Sequence, residues 1–178
     1  GSAIIHETWQ VNADSGTELY ISREDLREMD ILDFSVREGD NTFTNTGNWN
    51  INASRQDKAG KCGMVTTPYS VEMCWGFGQY GAHTFDLSYM ITNVVESLTD
   101  YDYLHFQVVP QGLSPRKVQV KVTAPEPLSE DNSRIWGFGF NGQALFENGA
   151  AVAETMEPFY SDDNSVILLI RFNKGIFS

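Results

Sequence analysis

The sequence predicts an all-β chain, an antiparallel β-sandwich of about ten strands with at most one short helix. Three observations carry that expectation. Short stretches in which apolar and polar residues alternate recur along the whole chain, the period-2 signature of half-buried strands. Clusters of Gly, Asn, Asp and Pro punctuate them at regular intervals. Helical periodicity is nearly absent. With 178 residues, 41% of them hydrophobic and 12% aromatic, the chain is long enough to bury a substantial core. It shows no internal repeat and no long linker. Residues 1–178 therefore read as a single domain, with Gly1-Ser2 in the form of a cloning remnant.

Ile5, Trp9 and Val11 alternate with His6, Thr8 and Gln10 in the first strand. Asp14-Ser15-Gly16 turns the chain, and Glu18 to Ile21 is expected to return as its hairpin partner. Ser22-Arg23-Glu24-Asp25 has the form of a capping box and predicts one or two helical turns to about Met29. Leu32, Phe34 and Val36 share a face of the strand Ile31–Glu38. Asn45 to Asn52 is expected to be a strand anchored by Trp49 and Ile51, and Gln56 to Gly63 an exposed turn.

Two alternating stretches follow, and they place Tyr69, Val71, Met73, Trp75, Phe85, Leu87 and Tyr89 on one core. Trp75, Phe85 and Tyr89 are its expected organisers, and Gly76 to Gly81 the tip of the hairpin between them. Leu104, Phe106 and Val108 mark a further strand, and Val118, Val120 and Val122 the most regular one. Asn141-Gly142, a strong hairpin signal, is expected to join Ile135–Phe140 to Gln143–Phe146. Ala150 to Thr155 reads as another strand. Val166 to Ile170, continuously apolar, suits a strand buried on both faces.

Charge narrows the partners. Twelve basic residues against twenty-four acidic ones give a net charge of -12. Phosphate backbones are bound by neutralising them with Lys and Arg, so nucleic acid and anionic membrane surfaces are poor partners. No apolar run approaches the roughly 20 residues of a membrane helix.

Gly76-Phe77-Gly78-Gln79-Tyr80-Gly81 matches G-x-G-x-x-G, but the dinucleotide motif needs a helix next, to hold pyrophosphate on its N-terminus. The residues that follow alternate with period two. No nucleotide and no other cofactor is expected. His6, His83 and His105 are dispersed and no C-x-x-C occurs, so no metal site is expected. No nucleophile motif is present. Glu72, opposite Val71, Met73 and Trp75, is the acid that a carboxylate-based hydrolase would draw on, although a solvated sheet face explains it as well. Asp162-Asp163-Asn164 lacks calcium-loop spacing. Tyr80, at the glycine-rich turn, and Tyr101 and Tyr103, opposite Leu104 and Phe106, are the candidate recognition aromatics for a glycan-binding module. Cys62 and Cys74, twelve positions apart, are either a disulfide or two unpaired apolar thiols.

Tyr69, Glu72 and Trp75, then Thr84-Phe85-Asp86-Leu87-Ser88-Tyr89, closed by Asp100 to Phe106, form one pattern. In these features Tyr69 to Val109 resembles the extracellular part of a family of predicted bacterial membrane proteins catalogued as domain of unknown function 2207. Lys117 to Thr123 and Ile135 to Gly139 continue the similarity. The resemblance implies a β-rich domain outside the cell, anchored through membrane segments that lie outside this sequence, and it supplies no catalytic residues. Such a setting favours the Cys62–Cys74 bridge. The expected function is non-enzymatic: the extracytoplasmic domain of a membrane-tethered bacterial surface protein that engages another protein or a cell-envelope glycan.

Overall fold

The structure is a computed structural model and describes residues 1–177. Its strands lie in four sheets of three or four strands each, not in one pair of sheets. The chain divides into two compact units, Ser2–Asn93 and the chain from Val94 onward with Gly1.

The first unit runs β1 (Ala3–Ala13), β2 (Glu18–Glu24), β3 (Ile31–Glu38), β4 (Asn41–Thr42), β5 (Thr44–Asn48), α1 (Arg55–Lys58), β6 (Lys61–Thr66), β7 (Ser70–Gly76) and β8 (Gly81–Ile91). One sheet has the order β1-β8-β3-β4 and the other β2-β7-β6-β5. Alternation is why these segments are strands: in β1 every second residue turns inward, as the sequence predicts for Ile5, Trp9 and Val11. The inward faces of both sheets meet in one cluster that includes Ile21, Phe34, Val36, Met73, Trp75, Phe85, Leu87 and Tyr89. Trp75 is its hub, edge-on to Trp9 at 5.2 Å and to Phe85 at 6.0 Å between ring centroids. Edge-to-face pairs of this kind are worth about 0.5–1.5 kcal/mol beyond the area they bury.

Several expectations fail here, each for a non-local reason. β2 pairs with β7 rather than returning along β1, whose partner is β8. The Ser22–Asp25 stretch starts no helix: β2 continues to Glu24, and Arg23 is drawn between the sheets by Glu7 and Tyr89. Asp25 and Arg27, both at φ 51°, break the chain instead. Asp33, at φ 56°, marks a bulge that shifts the register of β3, so Ile31 enters the core and Leu32 faces out. Asn45–Asn52 yields only β5, which runs parallel to β6.

The expected exposed turn at Gln56–Gly63 holds α1, capped by Ser54, whose Oγ accepts from the Asp57 N–H. Its Lys58 is only 2% exposed. Tyr69 lies outside β7 and is exposed. The glycine-rich segment after β7 is not a hairpin tip. It carries the chain from one sheet to the other, because β7 pairs with β2 and β6 while β8 pairs with β1 and β3.

The second unit runs β9 (Val95–Ser97), β10 (Tyr101–Val109), β11 (Gln119–Val122), β12 (Ser133–Phe138), β13 (Gly142–Glu147), β14 (Ala150–Thr155) and β15 (Val166–Asn173). Its sheets have the orders β12-β15-β10-β9 and β11-β14-β13. Ala153, Val166 and Leu168 form the centre of a cluster joined by Val108, Val118, Val120, Val122 and Phe140. Asn141-Gly142 makes no hairpin, since β12 pairs with β15 and β13 with β14. The hairpin lies at the chain's other Asn-Gly, Asn148-Gly149, whose φ values of 49° and 76° suit a two-residue turn between Glu147 and Ala150. β15 is fully buried only on the face of Val166, Leu168, Ile170 and Phe172; Ile167, Leu169 and Arg171 are half-buried.

Candidate functional site

Register assembles the site. In the sheet β12-β15-β10-β9 the face opposite the core carries rows of directly paired residues, of which the pair Tyr101 and Asn173 stands at one end. Arg134 stands across from Arg171, Arg171 from Tyr103, and Tyr103 from Glu96. The next row is Trp136, Leu169 and His105; the row after it is Phe138, Ile167 and Gln107. Leu104, Phe106, Leu168 and Ile170 hold the opposite face down in the interior, so the outer rows sit on a rigid support.

This face is not covered. Trp136 is 42% and Phe138 48% exposed, and Leu98, after β9, is 44% exposed. Leu98, Tyr101, Tyr103, Trp136, Leu169 and Arg171 line an open groove of about 480 Å³. Tyr101 and Tyr103 meet edge-on, with ring centroids 6.5 Å apart, and the Arg171 guanidinium lies over the Tyr101 ring at 5.7 Å. At the end of the sheet Lys174 bonds Asp102 and Ser97, each at 2.7 Å. The Lys174 hydrogen bond, with one from Ser97, holds the Asp102 carboxyl below its ordinary range. Aromatic platforms interleaved with guanidinium, imidazole and amide groups are suited to stacking and hydrogen bonding.

Of the three candidate recognition aromatics, Tyr101 and Tyr103 come together here. Tyr80 lies in the first unit, half-exposed, with the Arg55 guanidinium 4.1 Å from its ring centroid. Trp136, Arg134, Arg171 and Leu169 were missed from sequence. Trp136 and Phe138 alternate with Ile135, so the stretch carries apolar residues on both faces, and that excess was the available signal.

The first unit's polar clusters are structural. The Glu7 carboxylate accepts from Arg23 at 2.7 Å, from the Tyr89 hydroxyl at 2.6 Å and from Trp9 Nε1 at 2.8 Å. Burial pushes the Tyr89 hydroxyl far above its ordinary acidity range. Lys58 Nζ donates to Thr17, to Glu18 at 2.6 Å and to the Ile51 carbonyl, using all three of its protons. Burial pushes Glu18 up, but the Lys58 and Thr17 hydrogen bonds outweigh it and the carboxyl is lowered overall. His83 lies stacked on Phe85 and 2.6 Å from Glu38. Burial opposes its charge, but the bonds to Glu38 and the Gln79 carbonyl win and raise it.

Trp75, Phe85 and Tyr89 are fully buried in the first unit's core. Cys62 and Cys74 are both free and buried. Cys62 pairs with Trp75 and Cys74 with Gly63, so adjacent strands point the two thiols to opposite faces of one sheet. The two thiols are unbonded in this structure, and twelve positions of spacing carry no information about facing. Burial pushes Cys62 up to about 11 and Cys74 up to about 12.

Glu72 stands half-buried on β7 across from Ser22 and Val65, and it lines neither the open groove of the second unit nor a second one in that unit. The second groove is lined by Gly139 to Asn141 and by Tyr160, Ser161, Asp163 and Asn164. There the Asn164 side chain is spent on the Tyr160 and Ser161 N–H groups and the Gly139 carbonyl. Among the described residues no group of three or more His, Cys, Asp or Glu converges on a metal-sized space, and no helix is long and apolar enough to cross a membrane.

Residues 1–157 match a family model described as "Predicted membrane protein (DUF2207) N-terminal domain". No curated protein and no solved structure matches the chain.

Proposed function

Because the chain belongs to the predicted membrane protein family whose N-terminal domain is DUF2207, we propose that it is the extracytoplasmic part of a membrane-tethered bacterial surface protein that holds a cell-envelope glycan. The observation that carries this function is the open outer face of β12-β15-β10-β9, with Trp136, Tyr101 and Tyr103 standing on a rigid sheet. Sugar rings stack on aromatic faces while their hydroxyls take hydrogen bonds from neighbouring polar groups. His105, Gln107 and Arg171 supply those groups on the same face. A protein partner is the second function, favoured by Phe138 and Ile167, which extend the apolar strip beyond the groove.

Retention on immobilised envelope polysaccharide tests the function. The chain is expected to bind protease-treated polysaccharide, and Trp136→Ala with Tyr103→Ala to abolish retention while the fold persists. Equal retention of the double variant overturns it. Retention only on envelope proteins selects the second function. Protease accessibility of the chain within its full-length protein, in intact cells and spheroplasts, tests the outward orientation; digestion only after lysis contradicts it.

A further inference from the structure

Arg134 and Arg171 are direct cross-strand neighbours on the open face. Like charges in that relation are destabilising, with Cβ atoms roughly 4.5–5.5 Å apart. A chain with a net charge of -12 has carboxylates to spare, yet neither arginine is given one among the described residues. Among the described residues the ion pairs run Arg23–Glu7, Lys58–Glu18, His83–Glu38, Lys117–Glu154 and Lys174–Asp102. The Arg134 side chain donates to the Glu130 and Ser133 carbonyls through one nitrogen, Nη1. Arg171 lies over Tyr101, and its Nε is enclosed without a hydrogen-bond partner among the described residues. Glu96, beyond Tyr103 in the same row, is the one carboxylate among the ladder residues of this face.

We infer that the Arg134–Arg171 pair, with Trp136 and Tyr103 beside it, is a binding site for an acidic polysaccharide, its sugar rings on the aromatic side chains and its uronate carboxylates on the guanidinium groups. The inference rests on the glycan-holding function proposed above and names the class of glycan. A carboxylate accepts two parallel N–H bonds from a guanidinium fork, which offsets the repulsion between the two arginines. A phosphate polymer without rings would satisfy the arginines and leave Trp136 and Tyr103 unused, so a uronic-acid polymer is the better fit.

Calorimetric titration of the full chain with polygalacturonate, its methyl ester and neutral dextran tests the inference. Polygalacturonate is expected to bind at least about tenfold more tightly than either neutral polymer, since bonds to charged groups are roughly twice as strong as neutral ones. Arg134→Gln and Arg171→Gln are each expected to lose about tenfold for polygalacturonate and little for dextran. Arg171→Lys, which keeps the charge but not the fork, is expected to fall between. Arg134 is exposed on an edge strand, so its variant stays informative even where Arg171→Gln unfolds. Equal affinity for charged and neutral polymers, or indifference to Arg134→Gln, overturns the acidic class. If Trp136→Ala still abolishes dextran binding, glycan holding stands without it. No binding of polygalacturonate overturns the inference outright.

Discussion

Replacing Gly76 with alanine separates the role of the glycine-rich segment from the one its spelling suggests. Gly76 is the last residue of β7, bridged to Ala59 just past α1. A Cβ built there sits 2.5 Å from the Lys58 carbonyl carbon and 2.6 Å from Lys58 Cβ. The obstruction is backbone as well as side chain, so no rotamer change relieves it. α1 must move, and with it the Lys58 ammonium that bonds Thr17, Glu18 and Ile51. Overpacking costs about 1–3 kcal/mol where neighbours can adjust, and here the upper end, about 3 kcal/mol, is expected.

For a chain of this length that lowers Tm by roughly 6–12 °C. Gly78→Ala is the internal control: its added Cβ meets only the Ala59 Cβ, at an ordinary 3.5 Å, and its φ is not in the left-handed region. It is expected to stay within about 0.5 kcal/mol of the parent. Urea unfolding followed by tryptophan fluorescence, to which Trp9, Trp49 and Trp75 of the first unit contribute, reads both. Gly76→Ala as stable as the parent, or Gly78→Ala equally damaged, refutes the close-approach account.

Other perturbations probe other parts of the first unit. Glu7→Ala removes the carboxylate 2.7 Å from Arg23, itself 4% exposed, together with the acceptor of Tyr89 and Trp9, and is expected to cost about 3 kcal/mol in urea unfolding; a cost under 1 kcal/mol would show the Glu7 cluster to be incidental. Alkylation in denaturant without reductant, read by mass spectrometry, is expected to add two groups, on Cys62 and Cys74, while the native thiols react slowly at pH 8 because burial raises both. Uptake of no groups means that a disulfide exists. Glu18 is lowered in the fold, so its contribution is complete above its ordinary 4.5 and is lost as pH falls through the folded value. The stability gap between parent and Glu18→Gln should therefore close in acid. His83 is raised, so its contribution is complete below 6.5 and is lost as pH rises through the folded value. The gap between parent and His83→Gln should close in base, and a pH-independent gap in either series counts against that pair.

Local pattern was legible and pairing was not. The alternation in β1, β8 and β10 names the inward residues correctly because burial on one face is written into every second position. Which strand lies beside which depends on contacts across dozens of residues. That is why the turn signal at Asn141-Gly142 misled and Asn148-Gly149 formed the hairpin. Arg23 and Lys58 look like surface residues in sequence; each is buried because a carboxylate from a distant strand reaches it. The role of the glycine motif was not legible, since the need for a bare Cα at Gly76 comes from α1. Tyr101 and Tyr103 were visible from alternation, but the groove required β12 and β15, and Trp136 and Arg171 join them only through register.

The four tryptophans make the central claim measurable in one spectrum. Trp136 stands on the open face of β12, whereas Trp9, Trp49 and Trp75 belong to the first unit and are mostly or fully buried. Protein labelled at the indole nitrogen is titrated with soluble envelope polysaccharide, and the four N–H signals are followed. Saturable movement of the Trp136 signal, with the other three stationary, is the predicted result. A stationary Trp136, or movement confined to the other indoles, contradicts the assignment of this face as the binding surface.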